Sequence, residues 1–292
     1  MKAKFSSLLL VIFMFLGAVS SVGQSPQKID VGDFQVWKLQ DTQMDMKLSM
    51  LTGVDPAEAQ KVNGGKDSQI SAVNAFLVKT GKHTILIDAG IGKGTGGILD
   101  QMKMAGIEPA TVDLILLTHL HPDHIGTLTS ADGKRIFPNA TIRLSQTESD
   151  FWIGNAGALP ANQQGQAGQI KKALDPYIQA KAYVPFSATD NLGDGIKAFA
   201  AYGHTAGHTI YTFTSKGSEF WCIGDLIHFG NVQFKLPKAS VSFDGNGKQA
   251  LESRMEFFSQ AAAKHAIVGG AHLVNFYRLE KEGDSFNATP VK

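Results

Sequence analysis

The chain has little of what would assign it to several large protein classes. It has one cysteine, Cys222, among 292 residues, so no internal disulfide framework can form. Charged residues make up 18% and the formal net charge is +1, so nothing here draws the protein to nucleic acid. No internal repeat and no low-complexity tract is visible, which excludes solenoids and long disordered linkers. What remains is a hydrophobic fraction of 43%, ordinary for a globular chain with a sizeable core.

The N-terminus departs from that average. Lys2 and Lys4 precede a short apolar run from Leu8 to Val19, then the small residues Ser21-Val22-Gly23. Residues 1–23 therefore read as a secretory signal peptide, which places the mature protein outside the cytoplasm, secreted or periplasmic. The run falls short of the roughly 20 apolar residues of a comfortable membrane span; an uncleaved anchor is the alternative. No cysteine stands near the cleavage site, which argues against a lipid anchor. Cleavage removes Lys2 and Lys4 and no acid, taking the net charge from +1 to −1. Residues 24–292 are expected to form one domain with no linker, and no membrane contact after cleavage.

Histidine is where the sequence becomes specific. Thr118-His119-Leu120-His121-Pro122-Asp123-His124 follows directly on the apolar run Val112 to Leu117. Imidazole with carboxylate is the ligand set of zinc and its neighbours. A short apolar run feeding such a cluster suits a buried strand ending at a site. His119 and His121 are two apart, so in extended chain they point the same way. Pro122 keeps His121 extended and opens a helix, at whose start Asp123 and His124 splay apart, enough to serve a second metal. Further histidines fall in Tyr202 to Thr209 (His204, His208), Phe220 to His228 (with Asp225) and Gly269 to Leu273 (His272). Each segment adjoins a β-rich run, so each is expected at a strand end, with glycines that let backbone pass close to a crowded centre.

The remaining periodicity predicts strands over Phe34–Leu39, Ile70–Thr80, Thr84–Asp88 and Val112–Leu117. Helices are expected over Ile98–Met104, Gln146–Ile153 and Gln169–Ala180. A second β-rich half runs from Gly195 to Asp225, followed by a helix near Gly247–Lys264 and a last strand at Ala266–Val268. Residues 154–169, rich in Gly, Ala, Asn and Gln, read as a flexible loop beside the site. Two such halves are consistent with stacked α/β layers. Cys222, three residues before Asp225 on a presumed strand, should face away from it into the core.

The order Thr118 to His124, His204, Asp225, His272 resembles the metallo-β-lactamase superfamily, across essentially the whole mature chain. Within it the closest likeness is to the methyl parathion hydrolase-like group, through Asn74 to His83, Glu148 to Trp152, Gly224 to Ile227 with Val232 to Phe234, and Ala271 to Leu273. The resemblance implies an α/β fold, a four-layer αβ/βα sandwich, with a dimetal site at one edge between the sheets. It places His119, His121 and His204 on one metal, Asp123, His124 and His272 on the other, and Asp225 across both. Two zinc ions so held would share a hydroxide that acts as the nucleophile. Asp123, Asp225 and His228 are then the catalytic candidates. Asp88 and His208 are expected to support the ligands from behind, and Phe151, Trp152 and Phe229 to line the substrate pocket. His228, three residues past Asp225, either assists a leaving group or is a hydrogen-bonded pocket histidine. His83 and His265 should be surface or strand-end residues.

The branches of the superfamily can be separated on this chain. True β-lactamases generally lack an Asp where Asp225 stands, and the diiron branch usually has Glu at the place of His121. Glyoxalase-type thioesterases add a helical domain where 20 residues follow His272 here, and nuclease members carry basic surfaces. A small-molecule ester, lactone or phosphotriester hydrolase remains; a homodimer is compatible with it, and a non-catalytic binding protein would be expected to have lost a ligand. The methyl parathion hydrolase group draws pocket aromatics from the stretches here spanning 90–99 and 163–169, and neither contains Phe, Tyr or Trp. That favours lactones and carboxylic esters, with phosphotriesters as a promiscuous activity; an organophosphate hydrolase is the alternative.

Overall fold

The computed structural model describes residues 25–92, 97–187, 190–193 and 195–291. The expected signal peptide and residues 93–96 of the aromatic-free stretch 90–99 lie outside them. Among the described residues no helix is long and apolar enough to cross a membrane.

The first half carries β1 (Gln27–Val31), β2 (Phe34–Lys47), β3 (Leu51–Thr52), β4 (Ser68–Lys79), β5 (Thr84–Ile87), β6 (Leu114–Leu116) and β7 (Thr141–Arg143). The second carries β8 (Ile196–Ala200), β9 (Thr209–Ser215), β10 (Ser218–Cys222), β11 (Ser240–Val241), β12 (Ile267–Gly269), β13 (Tyr277–Glu282) and β14 (Ser285–Pro290). They form two six-stranded sheets, β1-β2-β4-β5-β6-β7 and β14-β13-β12-β10-β9-β8, plus a short ribbon of β11 and β3. The principal helices are α1 (Pro56–Val62), α2 (Ile98–Met104), α3 (Pro122–Ile125), α4 (Gln146–Ser149), α5 (Ala161–Gln179), α6 (Gly230–Gln233) and α7 (Gly247–Ala263).

Strand alternation builds the layers. Successive side chains leave opposite faces of a strand, and both faces here are apolar. Ala75, Leu77, Leu86 and Ile115 pack outward with Ile98 and Met102 of α2 and Ile170 and Leu174 of α5. Their neighbours Phe76, Val78, Ile85, Ile87 and Leu116 turn inward to meet Phe213, Phe220, Cys222 and Phe276. On the far side Ile210, Trp221 and Val268 pack with Phe257 and Phe258 of α7. Helix, sheet, sheet and helix follow in order: a four-layer αβ/βα sandwich. Cys222 lies in the inter-sheet core, as its spacing from Asp225 requires.

The topology explains where function gathers. β5, β6 and β7 are mutually parallel, and β10 is parallel to β12. Their carboxyl ends face one edge, where α/β sheets place ligands: Asp88 follows β5, the histidine motif follows β6, Asp225 follows β10 and His272 follows β12. At the same edge a bulge between Gln40 and Thr42 leaves Asp41 out of the β2–β4 pairing. Its carboxylate accepts the amides of Ile91 and Ile98 at 2.6 and 3.0 Å, fixing the chain after Gly90 and at the start of α2.

Three expectations need correction. Residues 154–169 are not an open loop: Asp150–Gly154 and Ala156–Ala158 form short helical turns, and α5 begins at Ala161. Ala and Gln are good helix formers, and a side chain at Gly165 or Gly168 would meet open space, so the glycines there mark an exposed face and not a break. Residues 163–169 therefore belong to a helix, and the absence of aromatics there concerns a helix surface. Second, Ile267–Gly269 is not the last strand, since the hairpin of β13 and β14 follows and completes the second sheet. Third, the strand expected over Phe34–Leu39 is longer and not the first: β2 continues to Lys47, and β1 precedes it.

Candidate metal centre

The seven expected ligands converge. His119, His121, His204 and Asp225 form one group whose ligand atoms lie within 4.8 Å of one another, and Asp123, His124 and His272 form a second. In the first, His204 Nε2 lies 3.0 Å from His121 Nδ1 and 3.2 Å from Asp225 Oδ2, and His119 Nε2 lies 3.6 Å from the same oxygen. In the second, Asp123 Oδ2 is 3.7 Å from His124 Nε2 and 3.6 Å from His272 Nε2. Asp225 joins them, with Oδ1 3.2 Å from His124 Nε2 and Oδ2 3.1 Å from His272 Nε2. His121 and Asp123 are half-buried and the other five ligands buried, so the centre opens on the side of those two.

Each buried ring is aimed by its other nitrogen. His124 Nδ1 meets Asp88 Oδ2 at 2.9 Å, His204 Nδ1 meets Asp244 Oδ1 at 2.9 Å, and His272 Nδ1 meets the Ala72 carbonyl at 2.8 Å. His119 Nδ1 lies 3.1 Å from Thr118 Oγ1, whose hydroxyl donates to Asp88 Oδ2 at 2.8 Å. Holding Nδ1–H in this way directs the Nε2 lone pair at the centre, the usual support of a metal-binding imidazole. Asp88 also accepts the Thr118 amide at 2.8 Å, and reaches both partners from a left-handed backbone with φ of 59°. A backbone conformation of this kind costs on the order of 1–3 kcal/mol and persists where the surroundings fix it.

These residues fit a divalent cation. His119 Nε2, His124 Nε2 and Asp225 Oδ1 are buried side-chain atoms with no hydrogen-bond partner, and all three point into the centre. Unpartnered buried polar atoms are rare and call for an explanation such as an ion. Charge agrees. Burial would raise the Asp225 carboxyl, yet His124, His272, His228 and His119 hold it well below the usual range. Burial pushes His119 far down and His121 to about 3, so both keep free lone pairs. At His124 burial is outweighed by Asp225, Asp123 and Asp88, which raise it well above its ordinary value: the three carboxylates favour a positive charge at this place, and a cation bound there would displace the ring's proton.

The supporting residues fall as follows. His208 spends both nitrogens: Nδ1 donates to the Ala201 carbonyl at 3.1 Å and Nε2 accepts the Asp225 amide at 3.0 Å. It holds the Asp225 backbone from behind, and Gly224 is needed at the contact, because a Cβ there would sit 2.5 Å from His208 Nε2. His228 is 2% exposed, with Nε2 3.1 Å from Asp225 Oδ2 and its ring stacked on His272 at 4.4 Å. His83 pairs with Asp113 at the surface, and His265 ends α7 with φ of 52°.

The expected pocket wall is only partly there. Phe229 is fully buried among Met46, Leu48 and Val232, because the turn into α6 folds it inward, so it is not a wall residue. Trp152 is buried, with its ring edge-on to His121 at 6.2 Å, and Phe151 is half-buried against it. The aromatic that does meet the centre is Phe243, 4.8 Å from His228 and 6.1 Å from His204 by ring centroid. Sequence reasoning missed Phe243 and Asp244, and gave Glu148 no role at the site. Phe243-Asp244 stands just before Gly245-Asn246-Gly247, and an acid in such a turn cluster was the available signal.

Comparison with known proteins gives the same picture. Residues 70–272 match the family model of the metallo-beta-lactamase superfamily. The crystal structure of the hydrolase AbOPH, of the beta-lactamase superfamily, superposes with a TM-score of 0.85 at 31% identity, covering 92% of this chain and 98% of that one. AidC, a dizinc quorum-quenching lactonase solved with a product, gives 0.82 at 28% identity over 92% and 98% of the two chains. The uncharacterized protein YobT of Bacillus subtilis (strain 168) is 25% identical over 206 residues, 69% of this chain and 84% of YobT. The family match spans the β4-to-His272 core that carries every expected ligand, and the chain belongs to the metallo-β-lactamase superfamily.

Proposed function

We propose that the protein is a secreted or periplasmic dinuclear hydrolase of small lactones and carboxylic esters, with phosphotriesters as a secondary activity. The observation that carries this is the pair of adjoining ligand groups joined at Asp225, whose Oδ1 has no hydrogen-bond partner. His119, His121 and His204 would hold one ion, Asp123, His124 and His272 the other, and Asp225 both. Two divalent ions, zinc for this N/O ligand set, supply a water that ionises near pH 7 and polarise the oxygen under attack.

The remaining work falls to the chain. Asp225, buried and anionic, balances the charge of the centre, while Asp88 and Asp244 keep two of its imidazoles in register. His228 Nε2 stands 3.1 Å from Asp225 Oδ2; burial lowers the ring to about 4, so it is neutral at pH 7 and would serve as a relay, taking a proton from the attacking water and passing it to a departing oxygen. Substrate enters on the side of the half-buried His121 and Asp123, past Phe243 and the half-buried Phe151. A wall of this kind accommodates a flexible acyl chain more readily than it grips a nitroaryl ring. The likeness to a lactonase supports that choice.

The test is kinetic. Zinc-loaded mature protein, assayed on matched lactones, aryl esters, phosphotriesters and β-lactams, should favour lactones or aryl esters over methyl parathion-like substrates by roughly ten- to hundredfold in kcat/KM, with little β-lactam turnover. A clear preference for phosphotriesters would reverse the assignment. His228→Ala should lower kcat and leave two ions per chain by elemental analysis; one ion or fewer in the unaltered protein, after zinc supplementation, would refute the dinuclear reading.

The export proposal has its own measurement. Mass spectrometry of protein recovered outside the cytoplasm should show residues 1–23 missing. An intact Met1 in a membrane fraction would establish the uncleaved anchor instead.

A further inference from the structure

Glu148 is a buried carboxylate with no part in the ligand set. It is fully enclosed at 0% exposure, and four donors converge on it. Oε1 accepts the Leu120 amide at 3.1 Å and Trp152 Nε1 at 2.9 Å. Oε2 accepts Thr205 Oγ1 and the Gly207 amide, both at 2.8 Å. Burying an ionised carboxylate is costly unless such bonds compensate it, and bonds to a charged acceptor are about twice as strong as neutral ones.

The placement of the donors matters more than their number. Leu120 lies between His119 and His121. Thr205 follows His204, and Gly207 passes so close that a Cβ would sit 2.2 Å from the Glu148 amide nitrogen. Trp152, held by the same carboxylate, sets its ring edge against His121 at 6.2 Å. Glu148 itself is fixed by the Ser145 hydroxyl, which accepts its amide at 3.1 Å and donates to the Gly207 carbonyl at 2.7 Å. One side chain thus ties the segment bearing His119 and His121 to the segment bearing His204. Glu148 touches no ring of the other group: His124 is aimed by Asp88, which also holds Thr118 behind His119, and His272 by the Ala72 carbonyl.

We propose that Glu148 is a positioning residue that sets the spacing of the three histidines of the first site, and so controls the affinity of that site without controlling the second. This rests on the two-ion reading above. Glu148→Gln keeps the shape but removes the charge and turns an NH2 group toward two donors. Affinity of the His119–His121–His204 site should fall about ten- to hundredfold, the usual effect of losing a partner behind a metal ligand. The Asp123–His124–His272 site should keep its affinity.

The measurement is metal binding, not turnover. Cadmium-113 NMR of the metal-depleted full chain, titrated with cadmium against a competing chelator, gives one resonance per site and a dissociation constant for each. Unaltered protein must first show two resonances; a single one would defeat the two-ion reading and not the role of Glu148. With two present, selective weakening of the three-nitrogen site in Glu148→Gln is the expected result. Equal weakening of both sites, or of neither, overturns the proposal. Should that variant fail to fold, Thr205→Val removes one donor and leaves the carboxylate. It should weaken the same site selectively by about tenfold, and unchanged binding in it would overturn the proposal equally.

Discussion

Replacing Asp225 with alanine should abolish hydrolysis and strip the centre of at least one ion. Asp225 is the only carboxylate within reach of both ligand groups among the described residues, and its two oxygens face different partners: Oδ1 faces His124, while Oδ2 faces His119, His204, His228 and His272. Alanine removes the joint and leaves those rings crowded in a buried space with their shared counter-charge gone. Nothing nearby substitutes, since Asp88 and Asp244 are committed to Nδ1 atoms on the outer side of the rings. Loss of a group aimed at the reacting centre typically costs on the order of a hundred- to a thousandfold; removal of the joint between two ions should exceed the upper figure. Elemental analysis and turnover measured on one preparation check it. A variant that retained two ions and full turnover would end the bridging assignment.

How much of this could be read from the residues depends on how local the signal is. The ligands were legible because metal chemistry needs particular side chains, and the strand ends deliver them in compact motifs: His119 to His124 in one turn, Asp225 behind Gly224, His272 behind Gly270. Stacked α/β layers were legible from the order of strands and helices in two halves, and the four-layer sandwich from the family resemblance; that Phe76 and Leu77 turn to opposite cores is visible only in the fold. What was not legible depends on distance along the chain. Asp244 meets His204 across 40 residues and Glu148 meets Gly207 across 59, and neither acid stands in a motif that marks it as a ligand's partner. Phe229 was misplaced for the same reason, since only the packed fold shows which aromatic near Asp225 turns inward. The run from Gly154 to Gln169 failed differently. Its glycines suggested a break, but composition says nothing about which face of a helix is exposed. β13 and β14 are not legible because only Tyr277 and Leu279 alternate with exposed neighbours in β13, too short a period-2 run to mark a strand.

The second large effect concerns stability, at a residue no motif marks. Arg254, on α7, is 1% exposed, and its guanidinium donates to the carbonyls of Leu226, Pro237 and Ala239 at 2.9, 2.6 and 2.8 Å. Burial lowers it to about 10, so it keeps its charge at neutral pH. Its nearest acid is Asp244, 4.0 Å away, which in turn orients His204. One side chain therefore caps the carbonyl beside Asp225, closes the loop before β11 and supports a histidine partner. Arg254→Ala would leave the Leu226 and Pro237 carbonyls without this donor, while Ala239 keeps Gln233 Nε2 at 2.8 Å, at about 1–3 kcal/mol for each that stays buried and unsatisfied, and would leave Asp244 without its cation. Water entering the space recovers part of this, so a net loss of about 4 kcal/mol is expected, as for breaking other buried charge contacts. At roughly 2–4 °C per kcal/mol for a chain of this size, the midpoint should fall by about 10 °C. Thermal melts belong in chelator, where bound ions cannot mask the loss. Arg254→Lys should fall between the two, because an ammonium is a point charge without the planar fork that reaches several acceptors at once. A midpoint within a degree or two of the unaltered protein for Arg254→Ala would show that solvent replaces the guanidinium fully, and that the link from α7 to His204 carries no stability.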